Sequence, residues 1–301
     1  MCESNFKFVL NFVIGVRMKT AIVLEGGGLR GAYTAGVCAW FIQNNIEFDV
    51  HIGISSGAMH ACSLAMKDIK LLHDSAVNHS VDPKNVGLKA FLREGTPVGY
   101  NYMFEVIMKD KLNMTVERLH KIPSLVEFGV YQLSKQVTVW KNQMDIDENI
   151  KLLQAACTLP IAGRNVKVNG EWWMDGGVTT MIPIDRALHH NVDKMIVVTT
   201  KPSNFVRKDN GPFTQFLLDV LYGKYKTLLQ DFRKRKDVYN REMAQVRQLE
   251  KEGSVVHLQP SKDFGAKRFS ATYEQVQGMY ELGISDCEAK REQIFKFLEL
   301  T

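Results

Sequence analysis

The first 65 residues alternate apolar runs with glycine-rich turns and stretches of helical spacing. Apolar runs at residues 21–24 and 50–52 are each followed directly by such a turn. A helix is predicted over residues 31–44, because bulky side chains recur there at helical spacing. These side chains are Tyr33, Val37, Trp40 and Phe41. Strands that alternate with helices in this way predict a parallel sheet covered by helices on both faces.

This alternation is interrupted over residues 68–125, where glycine, proline and histidine separate short apolar clusters. The interruption fits a helical cap over a site, and it fits a peripheral helical excursion equally well. Strands are then predicted at residues 136–140, 166–173, 194–199 and 254–258, and helices at residues 184–190, 212–252 and 272–300.

The turn after the second apolar run is Gly53-Ile54-Ser55-Ser56-Gly57. Its G-x-S-x-G spacing, between a strand and a helix, is typical of a nucleophile elbow, a strained turn that lifts a serine hydroxyl clear of the sheet. Gly53 and Gly57 suit so tight a reversal because side chains there would collide. Ser55 is therefore predicted as a nucleophile, flanked in the elbow by Ile54 and Ser56.

The turn after the first apolar run is Gly26-Gly27-Gly28-Leu29-Arg30-Gly31. At the start of a helix, its backbone N–H groups can stabilise a developing oxyanion, and Arg30 could steer a phosphate group or point into solvent. The same turn matches the G-x-G-x-x-G fingerprint of dinucleotide-binding proteins. That fingerprint expects an acidic residue closing the second strand, whereas Asp49 precedes it. A dinucleotide-binding fold is therefore the less favoured alternative.

A serine nucleophile needs a base, and the residues alone leave two kinds open. His189, His190 and His257 follow Asp175 in the Ser–Asp–His order of α/β-hydrolases, but no turn setting distinguishes them. His60, on the helix after the elbow, is predicted to pack against its neighbours. Asp175 begins the turn Asp175-Gly176-Gly177 at a strand end, which by itself is equally a plain turn aspartate.

In this order, the three motifs resemble those of the patatin-like phospholipases, and above all bacterial members of that family of serine lipid acyl hydrolases. The segment Ala156-Cys157-Thr158-Leu159-Pro160 is similar to the family's small-residue segment ahead of its aspartate. The resemblance covers about residues 20–200. It implies a three-layer α/β/α sandwich around a mostly parallel sheet, a Ser55–Asp175 dyad, an oxyanion hole in residues 26–31, and no metal or cofactor.

This resemblance also predicts how the chain is organised. Residues 1–17 are predicted as an N-terminal extension ahead of Met18, residues 18–200 as the patatin-like catalytic domain, and residues 201–301 as a mainly helical C-terminal extension packed on it. The apolar run at residues 6–16 is too short for a membrane span, which needs about 20 residues. The predicted function is a serine esterase acting on lipid esters; a non-catalytic lipid-binding or scaffolding protein is the alternative.

Composition narrows the partners only a little. The 301 residues carry a net charge of +5 and five scattered cysteines, which fits a cytoplasmic protein with free thiols. A nucleic-acid partner is not predicted, and the oligomeric state stays open. A helical stretch that begins with Phe213, Phe216, Leu217 and Leu221 continues into basic residues. Such a stretch can dock on an anionic membrane or pack on the domain. The basic residues are Lys224, Lys226, Arg233, Lys234, Arg235 and Lys236.

Overall fold

The computed structural model describes residues 18–146 and 149–300. The predicted N-terminal extension, residues 1–17, lies outside the described residues. Eight strands form one sheet: β1 (Thr20–Leu24), β2 (Val50–Gly53), β3 (Leu125–Gln132), β4 (Val137–Asn142), β5 (Val166–Val168), β6 (Glu171–Asp175), β7 (Lys194–Val198) and β8 (Val255–Leu258).

The strands follow the order β5-β6-β3-β2-β1-β7-β8, and β4 pairs with β3. The five strands β8, β7, β1, β2 and β3 are parallel to one another. Strands β4 and β6 are antiparallel to β3, and β5 is antiparallel to β6. The predicted α/β fold is confirmed, with its parallel strands at the centre and an antiparallel edge.

Helices cover both faces of this sheet. Ile22 and Leu24 of β1 pack against one helical layer, and Ala21 and Val23 pack against the other. This alternation is what a two-sided parallel strand requires. The first layer contains α1 (Gly31–Gln43), α2 (Ser56–Ala65), α6 (Lys151–Cys157) and α11 (Tyr273–Ala289), and the second contains α7 (Ile184–His189) and α10 (Arg235–Lys251).

Other helices lie around these two layers. Residues 66–124 hold α3 (Ile69–His73), a π-helix (Asp74–Asn78), α4 (Leu88–Glu94), a second π-helix (Tyr102–Lys111) and α5 (Val116–His120). The C-terminal third adds α8 (Pro212–Tyr222), α9 (Lys226–Arg233) and α12 (Arg291–Leu298). Several of these helices, among them α3 and α12, pack against the first layer. Within the described residues, no helix is both long and apolar enough to cross a membrane.

The C-terminal third is attached to the rest of the protein through both helices and the sheet. Strand β8 pairs with β7 in the central sheet. Helix α11 lies so close to α1 that a Cβ on Gly36 would be 1.9 Å from the Tyr280 carbonyl oxygen. A Cβ on Gly283 would be 2.3 Å from the Tyr33 carbonyl oxygen. Glycine at these two positions lets the two helix backbones touch.

Two predicted elements are wrong in detail. Strand β3 lies at the end of the interrupted region and was not predicted, although it pairs with three other strands. The single strand predicted at residues 166–173 is a hairpin of β5 and β6. Asn169 and Gly170 join them with φ of 49° and 80°. Asn-Gly favours such a two-residue turn because both central residues need positive φ.

Candidate active site

Ser55 occupies a strained position between β2 and α2. Its backbone has φ 55° and ψ −129°, which is unusual for a residue other than glycine. A Cβ on Gly53 would be 2.3 Å from the Gly57 carbonyl oxygen, and one on Gly57 would be 2.4 Å from the Leu24 carbonyl oxygen. The two glycines therefore permit the sharp turn, and the turn is the geometry expected of a nucleophile elbow.

Asp175 reaches Ser55 because β2 and β6 share one edge of β3. Strand β4 pairs along residues 127–132 of β3 and fills the other edge. On the shared edge, β2 pairs with residues 125–128 and ends at Gly53, and β6 pairs with residues 130–132. Since β6 is antiparallel to β3, its last residue, Asp175, points back toward the end of β2. The tertiary fold thus joins two turns that lie 120 residues apart in sequence.

The carboxylate of Asp175 is fully buried and only half satisfied by hydrogen bonds. Its Oδ1 accepts a hydrogen bond from the Gly177 amide at 2.7 Å, whereas Oδ2 accepts none from the described residues. Burial raises the pKa of Asp175 to about 6, against the opposing effects of the Ser55 hydroxyl, the Gly177 amide and the charges of Arg235 and Arg268. A carboxylate with this pKa is mostly ionised at neutral pH and is a stronger base than an exposed aspartate.

The glycine turn at residues 26–31 lies directly against the elbow. A Cβ on Gly26 would be 3.0 Å from the Ser55 Cβ, and the Gly27 amide donates a hydrogen bond to the Ser56 Oγ at 3.0 Å. The sequence placed the oxyanion donors broadly across this turn. In the structure, most of these backbone amides already donate hydrogen bonds within the protein. The Gly26 amide donates to the Met181 carbonyl, and the Leu29 amide donates to the Arg268 carbonyl at 3.0 Å.

Two amides beside Ser55 keep their hydrogens available. Neither the Gly28 N–H nor the Ser56 N–H donates a hydrogen bond to any of the described residues. Both residues line the same cavity as Ser55. In a nucleophile elbow, the amide that follows the nucleophile and one from a neighbouring loop form the oxyanion hole. Gly28 and Ser56 are therefore the candidate donors.

Arg30 does not point freely into solvent. Its Nε donates a hydrogen bond to the Ala266 carbonyl at 2.9 Å, which joins the glycine turn to the C-terminal third. The segment ahead of Asp175 also contacts the site: the Cys157 thiol donates to the Ser55 carbonyl at 3.1 Å, and the Asp175 amide donates to the Thr158 carbonyl at 2.9 Å.

Ser55 opens into a largely apolar cavity. The helices of residues 66–124 form much of its wall, so this region caps the site. Several lining residues could not be predicted from local patterns, because their positions depend on long-range packing. These residues are Val86, Val98, Tyr100, Met103, Phe104, Arg268 and Phe269. An apolar lining of this kind suits an acyl chain.

No histidine among the described residues hydrogen-bonds with Ser55 or Asp175. His190 lies against Glu127 at 2.6 Å, and His257 lies against the Thr199 hydroxyl at 2.9 Å. His60 lines the cavity, but its buried Nδ1 has no hydrogen-bond partner, and burial lowers its pKa to about 4. His189 sits beside His190 on α7. The geometry therefore contains a serine and a carboxylate without an intervening imidazole.

The structure divides the helical stretch predicted over residues 212–252, whose basic residues could dock on a membrane or pack on the domain. The stretch is divided among α8, α9 and α10, and Arg235 is buried. Arg233 is paired with Asp219 at 2.6 Å, and Lys236 with Asp209 at 2.9 Å. The apolar face of α8, in contrast, is exposed at Phe213, Phe216, Val220 and Leu221.

Fold and site together define an α/β protein with a serine elbow, and comparison with known families agrees. The patatin-like phospholipase family model matches residues 22–188, more than half of the chain, and the protein belongs to that family. Residues 225–299 match a second family, described as a domain of unknown function (DUF6363).

Individual relatives are distant. The uncharacterized protein YjjU of Escherichia coli K12 is 24% identical over 190 residues, which cover 62% of this chain and 53% of YjjU. The probable lipid hydrolase 463L of Invertebrate iridescent virus 6 is 24% identical over 221 residues, 65% of this chain and 74% of that protein. The chain thus spans only about half the length of YjjU.

Among solved structures, VipD from Legionella pneumophila is similar, with a TM-score of 0.51 and 14% sequence identity. The match covers 94% of this chain and 67% of VipD. At this level of identity, the likeness concerns the fold alone.

Proposed function

We propose that this protein is a serine hydrolase that cleaves carboxylic ester bonds of lipids through a Ser55–Asp175 dyad. The observation that carries the proposal is the pairing of a strained, cavity-facing serine with a buried aspartate whose Oδ2 is open. The family membership and the lipid hydrolase name of the viral relative support the same reaction class.

In the first half-reaction, the Ser55 Oγ attacks the ester carbonyl carbon while its proton passes to the Asp175 Oδ2. The Gly28 and Ser56 amides stabilise the oxyanion, an effect worth about 2.7–4 kcal/mol per donor in a comparable hole. The C–O bond to the leaving alcohol then breaks, and that alcohol takes the proton from Asp175. An acyl ester of Ser55 remains.

Water completes the cycle. Asp175 accepts a proton from a water molecule that attacks the acyl-enzyme carbonyl, and the fatty acid leaves as Ser55 regains its proton. A carboxylate is a weak base for these steps, so the reaction depends on burial, which raises the pKa of Asp175, and on fixed alignment with Ser55.

The catalytic unit extends beyond residues 18–200. The C-terminal extension, residues 201–301, adds β8 to the sheet and Arg268 to the cavity wall. We therefore treat the two parts as one functional unit, in which the extension completes the site.

Lipid substrate would enter from a membrane through an apolar face formed by α4 and α8. Large apolar side chains are exposed on both helices: Leu88, Phe91 and Leu92 on α4, and Phe213, Phe216, Val220 and Leu221 on α8. The two residues that follow α4 and the end of α8 line one groove, together with the exposed Trp172 and the cations Arg164 and Lys224. Val86 and Val98, which flank α4, line the Ser55 cavity. This arrangement suits peripheral contact with an anionic lipid surface.

Fluorophosphonate labelling followed by peptide mapping tests the reaction class. We expect a single label on Ser55, and we expect Ser55→Ala to remove both the label and ester hydrolysis. Ser63→Ala is the matched control, since Ser63 is a buried serine on α2 whose hydroxyl donates to the Met59 carbonyl at 3.0 Å. Ser56→Ala is a poorer control because the Ser56 Oγ positions the Gly27 amide.

Two outcomes would contradict the proposal. Absence of label and of ester hydrolysis in the folded wild-type protein, with lipid binding retained, would favour the non-catalytic alternative. Loss of turnover in a folded His60→Gln, His189→Gln, His190→Gln or His257→Gln variant would replace the dyad by a triad.

Vesicle sedimentation tests the membrane face. Phe91→Ser combined with Phe216→Ser should weaken binding to anionic vesicles, because both side chains are exposed on the proposed face. Val206→Ser, an exposed apolar position outside α4 and α8, is the control. Equal sedimentation of the double variant and the wild type would remove this face from membrane binding.

A further inference from the structure

Three arginines of the C-terminal third lie beside the dyad without forming an ion pair within the described part of the chain. They are Arg207, Arg235 and Arg268. Arg207 and Arg235 are only 8% and 3% exposed, and Arg268 lines the cavity that contains Ser55. None of the three side chains forms an ion pair or donates a hydrogen bond to another described residue. All three lie outside the segment matched by the patatin-like family model.

Aromatic rings hold two of the guanidinium groups in place. Arg235 is the first residue of α10, and its guanidinium carbon lies 4.6 Å from the centre of the Phe232 ring. The Arg207 guanidinium carbon lies 5.3 Å from the centre of the Tyr239 ring. Such stacking positions a guanidinium but supplies no negative charge. The Arg235 Nε is buried and has no hydrogen-bond partner.

The three charges act on one another and on the dyad. Burial lowers the pKa of Arg235 and of Arg207, and the charge of Arg268 lowers both further. Packing places these charges beside the dyad: Phe232, under Arg235, belongs to one buried cluster with Met174 and Val178, which flank the Asp175 turn. Tyr239, under Arg207, lies one helical turn after Arg235 on α10. The charges of Arg235 and Arg268 also lower the pKa of Asp175.

Nearby carboxyl groups compensate this positive charge only in part. The charge of Asp175 raises the pKa of Arg235, but one carboxylate cannot balance three guanidinium groups. Glu25 is already held by Lys201 and Thr200. Glu242 accepts hydrogen bonds from the Met181 and Ile182 amides, and burial raises its pKa to about 8. Glu242 is therefore largely neutral at pH 7. Buried charge without a partner is strongly unfavourable, so the cluster is complete only with an anion bound.

We infer that Arg207, Arg235 and Arg268 form a binding site for a phosphate group beside Ser55. Guanidinium groups suit this ligand because their paired N–H donors match the spacing of phosphate oxygens. Arg268 connects the site to the cavity, so a phosphate held there and an ester carbonyl at Ser55 can belong to one molecule. As an account of substrate choice, the inference rests on the proposed function. It also gives the C-terminal domain of unknown function a role, since Arg235 and Arg268 belong to it.

Thermal unfolding with inorganic phosphate tests the site without any catalysis. At about ten times the dissociation constant, phosphate should raise the Tm of the wild type by about 2–4 °C over a chloride control of equal ionic strength. Arg207→Gln and Arg235→Gln should lose most of this rise, whereas Arg241→Gln, an exposed arginine on the same helix α10, should keep it.

Thermal unfolding also shows whether Arg235 binds an anion or only stabilises the fold. Without phosphate, Arg235→Gln should unfold at a higher temperature than the wild type, because it removes an unpaired buried charge. If Arg235→Gln does not fold, Arg235→Lys takes its place. Lysine keeps the positive charge but lacks the paired N–H donors of the guanidinium group, so this variant should still respond less to phosphate. An equal response to phosphate in wild type, Arg207→Gln and Arg235→Lys would overturn the inference.

Hydrolysis then identifies the source of the phosphate. A lysophosphatidylcholine and a monoacylglycerol with the same acyl chain differ in the phosphate headgroup. For a headgroup site, Arg207→Gln should lower the ratio of kcat/KM for the phospholipid to that for the neutral lipid by at least about tenfold. An unchanged ratio together with a lost phosphate response would support the site but assign it to free phosphate.

Failure of the function and failure of the site are distinguishable. If phosphate raises the Tm of a protein that takes no fluorophosphonate label, the anion site is supported and the proposed esterase function is contradicted. Ester hydrolysis at Ser55 with no phosphate stabilisation and no change of the ratio in the arginine variants would leave the esterase standing and remove the anion site.

Discussion

Two buried carboxylates lie on adjacent strands of the sheet, Glu127 on β3 and Asp175 at the end of β6, and their surroundings are opposite. Arg186 donates two hydrogen bonds to Glu127, each at 2.7 Å, and His190 lies 2.6 Å from the same carboxylate. Asp175 accepts one hydrogen bond, from the Gly177 amide. Both oxygens of Glu127 are occupied, whereas one oxygen of Asp175 is open.

The pKa values follow from these surroundings. Burial tends to raise the pKa of Glu127, but the hydrogen bonds from Arg186 and His190 outweigh it, and the pKa lies below its usual value. For Asp175, burial prevails and raises the pKa to about 6. A carboxylate with both oxygens hydrogen-bonded stabilises the fold. A carboxylate with one oxygen free of hydrogen bonds and a raised pKa can accept a proton.

The largest expected difference between the two residues is in activity. Asp175→Asn keeps the size of the side chain but cannot accept the proton, so ester hydrolysis should fall by at least about a hundredfold. Steady-state kinetics on a soluble short-chain ester measure this loss. Glu127→Gln is the matched control and should keep kcat within about threefold in folded protein, because Glu127 takes part in no step of the reaction. Equal losses of activity in Asp175→Asn and Glu127→Gln would contradict the assignment of a catalytic role to Asp175 alone.

The contributions of Asp175 and Glu127 to the free energy of unfolding should change with pH in opposite directions. A pKa that rises from about 3.9 in the unfolded chain to about 6 in the fold means that Asp175 destabilises the protein by about 3 kcal/mol once pH exceeds 6. The free energy of unfolding of the wild type, relative to Asp175→Asn, should therefore fall between pH 4 and pH 7. Glu127, whose folded pKa is lowered, contributes stability above its unfolded pKa, and that contribution is lost in acid.

Urea unfolding of wild type and Asp175→Asn at several pH values gives that comparison directly. The proton-accepting form of Asp175 should also give kcat/KM an ascending limb with a midpoint near pH 6. A flat difference in unfolding free energy across this range would show that Asp175 is not buried with a raised pKa.

Removing Glu127 should destabilise the fold. Glu127→Gln leaves the partly exposed Arg186 without its charge partner, and we expect a loss of about 2 kcal/mol in the free energy of unfolding. Glu117→Gln, whose ion pair with Lys121 is exposed, should change the free energy of unfolding much less. Equal small changes in both variants would show that burial does not strengthen the Glu127 contacts.

The smallest expected effect concerns the strain at Ser55. Glycine adopts positive φ without penalty, so Ser55→Gly should be about 1 kcal/mol more stable than Ser55→Ala, while both are inactive. Chemical denaturation of the two variants measures the difference. If Ser55→Ala proves as stable as Ser55→Gly, the elbow stores no strain at this residue.

The local parts of the candidate site could be predicted from the sequence. The glycines around Ser55 and the glycine turn before α1 act through steric contacts between residues close in the chain, so their spacing alone identified both turns. The Asp175-Gly176-Gly177 turn was recognised only in combination with the other two motifs, because an isolated Asp-Gly pair is common. The α/β fold followed from the alternation of strands and helices.

Other parts depend on tertiary contacts that no spacing reveals. Strand β3 was missed because Glu127 and Gly129 interrupt its apolar pattern, although burial among β2, β4 and β6 favours the strand. The Leu29 amide was expected to be free for an oxyanion, but the Arg268 carbonyl, 239 residues away in sequence, accepts its hydrogen.

The chain by itself therefore determined which residues can form a sharp turn, a strand or a helix, since sterics and hydrophobic periodicity act over a few residues. Only the tertiary structure decided what those residues can do. The open oxygen and raised pKa of Asp175, the saturated contacts of Glu127 and the only partly compensated charge of Arg207, Arg235 and Arg268 all depend on burial and on partners from distant segments. Electrostatic environment is a property of the packed interior, where water is excluded and distant charges meet.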